Sequence, residues 1–148
     1  MNADQYGATV QLGRRTEPSD NLRRWWSAIT IMIAAAVFIE AVFAGAILSG
    51  AGWARTAHAA TALVLIVSTT TAGLVSLVTL RRIPRGLSLS LTLLSLAAVV
   101  FVQAALGRST AHGANLLWLH VPLGVALVGF AAQAAVVARR LGERADRL

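Results

Sequence analysis

Two histidines, His58 and His120, stand at equivalent places in a chain that says the same thing twice. Each opens an apolar stretch that closes on paired arginines, Arg81-Arg82 in the first half and Arg139-Arg140 in the second. Upstream, Phe38-Ile39-Glu40-Ala41-Val42-Phe43-Ala44-Gly45 is answered by Phe101-Val102-Gln103-Ala104-Ala105-Leu106-Gly107. Glu40 precedes His58 by 18 positions and Gln103 precedes His120 by 17, so a duplicated helical hairpin is the economical explanation. A neutral imidazole is a good ligand for iron, zinc or copper. Zinc asks for three or four protein ligands, and with no cysteine and only Glu40 as an intramembrane carboxylate the chain does not offer them. Six-coordinate haem asks for two axial ligands, the porphyrin supplying the other four nitrogens. Haem b with His58 and His120 on its iron is the chemistry that fits this inventory. The competing reading is a pair of interfacial histidines reaching for headgroups and water.

The elements that must position these side chains follow from composition. Of 148 residues, 57% are hydrophobic and 13% charged, too little polar surface for a soluble domain of this size. A bilayer core roughly 30 Å thick needs about 20 apolar residues in a helix. Four stretches qualify: Trp25–Ser49, His58–Leu80, Leu87–Leu106 and Leu116–Ala138. The expectation is an all-α, up-down-up-down four-helix bundle over residues 25–138, preceded by a polar segment (1–24) and followed by a basic tail (139–148). The first 20 residues lack the apolar run and small-residue site of a cleaved signal peptide, so the first helix is expected to serve as a retained targeting signal.

The net charge of +7 is arranged for orientation rather than for nucleic acid. Arg14, Arg15, Arg23 and Arg24 precede the first span, Arg81, Arg82 and Arg85 lie between the second and third, and Arg139, Arg140, Arg144 and Arg147 follow the fourth. Only Arg55 and Arg108 fall in the other two loops. This asymmetry places both termini in the cytoplasm of a multi-pass inner-membrane protein and both histidines toward the outer face. Trp25 and Trp26 on one side, with Trp53 and Trp118 on the other, are expected in the two aromatic belts.

In such a bundle the second and fourth helices stand diagonally, their axes roughly 14 Å apart when neighbours are about 8 to 10 Å apart. Two imidazoles with a flat group between them span that gap. Small residues one turn on, Thr61 and Ala62 after His58 and Gly124 after His120, leave room for a planar cofactor or for close helix packing. Arg55 and Arg108 are placed to pair with haem propionates or to snorkel to headgroups. Glu40 is either a hydrogen-bonded structural group or a proton-handling residue. His112 reads as a solvated loop histidine, with a lid or substitute ligand as the minority view. Thr69, Thr70 and Thr71 are expected to bond back to their own helix or to a neighbour.

Gln103-Ala104-Ala105-Leu106-Gly107, with His120 opening the next helix, resembles half of a heme A synthase. Glu40 followed by Ser49-Gly50-Ala51-Gly52-Trp53 loosely resembles the first hairpin of that family. The likeness covers about 100 residues on few positions. It implies a four-helix unit with histidine ligands on its second and fourth helices. That family has eight helices, further histidines on the first and third helices, and in many members an outer-loop cysteine pair. Here Glu40 and Gln103 stand at the comparable places and cysteine is absent. The chain therefore looks like a one-haem relative, similar to small four-helix membrane proteins of actinobacteria, and oxidation of a haem methyl group does not carry over.

Hydrolase and nucleotide-driven readings have no motif to rest on: there is no phosphate-binding Gly-Lys-Ser/Thr loop, no His-Glu-x-x-His, and the aspartates lie in the terminal segments. The expected function is a haem-b electron-transfer or redox accessory protein, partnered by lipid and by quinone or a respiratory-chain component. Whether it is an enzyme stays open: the expectation is of no activity on its own, and of a membrane oxidoreductase if it has one. The alternatives are a cofactor-free scaffold or accessory subunit of a larger complex and, more weakly, a carrier using Glu40. Homo- and hetero-oligomers both stay open.

Overall fold

The computed structural model describes residues 19–142; most of the polar amino-terminal segment and the end of the basic tail lie outside the described residues, Arg14, Arg15, Arg144 and Arg147 with them. Four helices make up the fold: α1 (Asp20–Leu48), α2 (Trp53–Thr79), α3 (Gly86–Ala111) and α4 (Leu117–Arg139), with no strand among the described residues. At about 1.5 Å per residue even α4 is roughly 35 Å long, enough to cross a hydrocarbon core of about 30 Å. Each helix packs on the two beside it in a closed cycle, and no Cα atoms of α1 and α3, or of α2 and α4, come within 8 Å. The second and fourth helices are therefore diagonal, as topology requires. Large apolar side chains such as Phe38, Leu63, Val78, Phe101 and Val125 point outward. Such a surface is tolerable only in lipid, and the protein is a multi-pass membrane protein.

The helix ends differ from the sequence expectation in an informative way. α1 starts at Asp20 rather than Trp25, because Ser19 caps it by accepting from Leu22 N–H and the Asp20 carboxylate sits in the first turn. α2 starts at Trp53, so His58 lies in its second turn and does not open it. α3 runs five residues past Leu106, through Gly107, and α4 spans Leu117–Arg139 rather than 116–138. Both α1 and α3 end on a left-handed glycine, Gly50 (φ +88°) and Gly113 (φ +96°). In each, the two residues after the cap bond back to the last turn: Gly50 to Ile47 and Ala51 to Ala46, Gly113 to Thr110 and Ala114 to Ser109. The true terminators are thus Gly50 and Gly113, and Gly107 sits inside the helix at a propensity cost of about 1 kcal/mol.

Burial repeats with the same offsets as the sequence. Trp26, Thr30, Ile33 and Val37 of α1 are buried, and so are Leu89, Leu93, Leu96 and Val100, each 63 positions later on α3. Leu65, Thr69, Ala72, Gly73 and Ser76 of α2 recur 62 positions later as Leu127, Ala131, Ala134, Ala135 and Ala138 of α4. The bundle is built on a pseudo-twofold core. Trp26, 5% exposed, is part of it and not of an aromatic belt, whereas Trp25, Trp53 and Trp118 are 67–70% exposed. Buried hydroxyls are satisfied within their own helices, Thr30 on the Trp26 carbonyl at 2.9 Å, Thr69 on Leu65 at 2.6 Å and Ser76 on Gly73 at 2.8 Å.

Candidate functional site

The packed core stops partway along the bundle. Val37, Leu65, Val100 and Leu127 form its last buried layer, and toward the loops at residues 49–52 and 112–116 Ala54 is the only described residue that is fully buried. The inward positions of this half are occupied by half-buried residues, many of them small or polar: Glu40, His58, Ala62, Gln103, Gly107 and His120 among them. Each histidine lies seven residues, about 10 Å along the helix, from its floor residue, Leu65 or Leu127.

Antiparallel packing of two equivalent hairpins brings the imidazoles together. Their ring centroids are 6.4 Å apart and their planes cross at 83°. Glu40 reaches from α1 to His58, its Oε2 in direct ion-pair contact with Nδ1, the side chains being 13% and 26% exposed. Gln103 reaches from α3 to the fourth helix at the equivalent place, where its Nε2 donates to the His120 carbonyl at 2.8 Å. No hydrogen bond among the described residues engages Nε2 of either histidine. Oε1 of Glu40, Oε1 of Gln103 and Nδ1 of both His58 and His120 are buried without a hydrogen-bond partner. Four such groups in one cluster are costly in a low-dielectric interior.

Two glycines shape the space. A Cβ on Gly107 would stand 3.0 Å from Cε1 of His120, so the missing side chain lets that side of the ring approach α3. A Cβ on Gly124 would stand 2.9 Å from Nε2 of Gln103, so the room after His120 is taken by the carboxamide rather than left beside the imidazole. Arg55 and Arg108 are exposed and lie within α2 and α3 rather than in loops. His112 is the exposed C-cap residue of α3, its Nδ1 2.8 Å from the Arg108 carbonyl. Among the described residues, no hydrogen bond or ring contact joins it to the histidine pair.

Fold and site together define a class: a four-helix membrane protein built from two hairpins, with one histidine from each facing the other in an under-packed half of the bundle. No protein-family model matches the chain, and neither a curated protein nor a solved structure is detectably similar to it.

His58 and His120, with ring centroids 6.4 Å apart, are the side chains of this site that could hold a metal ion or a haem iron. The donor set suits no closed metal cage, since no three His, Cys, Asp or Glu side chains among the described residues group to hold an ion. A haem iron would ask two such nitrogens of the protein, the porphyrin supplying the other four.

Proposed function

We propose that this protein is a membrane haem-b protein that carries single electrons, with His58 and His120 as the axial ligands. The 6.4 Å separation of two imidazoles from pseudo-equivalent helices is the observation that carries the reading. Haem would supply reversible one-electron exchange at its iron. The chain's own residues hold and tune. Glu40, in contact with Nδ1 of His58, would orient that imidazole and leave Nε2 as the nitrogen for iron. Gln103 anchors α4 beside His120 and adds no charge. Arg55 and Arg108, exposed at the same end of the bundle, are the cations available to propionates.

In this reading the arginine-rich end faces the cytoplasm of an inner membrane, and quinone or a respiratory-chain component exchanges electrons at the histidine end. The likeness to half of a heme A synthase belongs to the same proposal, with ligands on the second and fourth helices. The test is a reduced-minus-oxidised optical spectrum of protein purified from haem-replete cells. Soret and α-band features are expected, and they are lost in His58→Ala/His120→Ala while helix content by circular dichroism is unchanged. Unaltered haem content in that double variant sinks the proposal.

A further inference from the structure

The opposite end of the bundle carries a second concave site that electron transfer does not use. Between α1 and α4, Arg23, Arg24, Ser27 and Arg139 border a recess of about 310 Å³ whose wall continues through Ala28 and Ile31. Arg23 is partly engaged, by a 3.0 Å ion pair with Asp20, while Arg24 and Arg139 have no acceptor among the described residues. The fold does not ask for these charges. In the pseudo-equivalent groove between α2 and α3, the same positions are Gly86, Leu87 and Leu77, and that groove packs without them. Below Arg24, the exposed residues Ala28, Ile31 and Ala35 follow at helical spacing and make an apolar strip leading toward the bilayer interior. Cations at one end of an apolar strip match a molecule with an anionic head and a hydrocarbon tail.

We propose that this recess binds one anionic phospholipid, its phosphodiester held by Arg24 and Arg139 with help from Arg23 and Ser27, and an acyl chain lying along Ala28, Ile31 and Ala35. The guanidinium groups suit phosphate oxygens because each offers paired donors in a fixed fork. A free phosphate would satisfy the arginines and leave the apolar strip unused. The site would pin one specific lipid beside α1 and α4, away from the histidine pair.

The experiment is native mass spectrometry of the whole protein in neutral detergent, titrated with phosphatidylglycerol or with phosphatidylcholine. One tightly retained phosphatidylglycerol is expected, with phosphatidylcholine retained far more weakly. Arg23→Gln/Arg24→Gln/Arg139→Gln should weaken phosphatidylglycerol binding by about a hundredfold. Arg81→Gln/Arg82→Gln/Arg140→Gln removes the same charge elsewhere at that end and should leave it nearly unchanged. Equal losses in the two triple variants, equal retention of the two lipids, or displacement of phosphatidylglycerol by millimolar inorganic phosphate would each overturn the proposal.

Discussion

Replacing Glu40 by Gln keeps the shape and a hydrogen-bond acceptor opposite Nδ1 of His58 but removes the charge, and so isolates what the carboxylate does for the proposed haem. The contact is direct and the carboxylate only 13% exposed, so salt screens it little. A hydrogen bond to a charged group contributes about 1.5–3 kcal/mol and a neutral one about 0.5–1.5, a difference near 1 kcal/mol. A negative charge behind a ligating imidazole favours the ferric state, which carries one more positive charge than the ferrous. With 59 mV per tenfold in a one-electron couple, losing about 1 kcal/mol of that preference raises the midpoint potential by about 40 mV. The mirror change Gln103→Glu puts a carboxylate at the equivalent place on α3 and should lower it. A redox titration following the α band reads both. Haem content should hold in each variant, because neither change touches Nε2. A potential that stays put in Glu40→Gln, or falls, refutes the assignment of Glu40 as the group that positions and polarises His58.

Other expectations come from the glycines and the tryptophans. Gly107→Leu drives a side chain into the His120 ring, whose Cε1 is already 3.0 Å from a Cβ at that position, and should abolish haem retention; Gly45→Leu on α1, where a Cβ meets nothing within 4 Å, should not. Gly73 of α2 lies against α3, with a Cβ there only 2.7 Å from Cδ2 of Leu94, so Gly73→Leu should destabilise the bundle by about 1–3 kcal/mol and Leu94→Ala should partly restore its thermal midpoint. Brominated lipids should quench Trp25, Trp53 and Trp118 in single-tryptophan variants and spare Trp26, the one of the four in the core.

Much of the architecture was legible because a bilayer leaves few options. Four apolar runs, short loops and the repeat determine four antiparallel helices with α2 and α4 diagonal, and the equivalence of His58 and His120 in the repeat already implies that they meet. The helix ends are less legible: the apolar run ends at Leu106, while the helix continues through Gly107 to Ala111. A glycine ends a helix only where the chain can take up a left-handed residue and close the last turn, and the repeat pairs Gly50 with Gly113, 63 positions on, as its terminators. Trp26 was misread as a belt residue although Trp26, Thr30, Ile33 and Val37 follow the spacing of one buried helix face. The pairing of Glu40 with His58 depends on how α1 and α2 are rotated about their axes, which spacing alone does not determine. Its trace in the sequence was the matched interval from Glu40 to His58 and from Gln103 to His120.

Electron paramagnetic resonance of the oxidised, purified protein tests the central claim most directly. Two imidazoles on a haem iron would give a low-spin ferric signal. His58→Ala and His120→Ala, made singly, should each convert it to a high-spin signal or abolish it. An iron-free protein, or a low-spin signal that survives both single substitutions, would contradict the account.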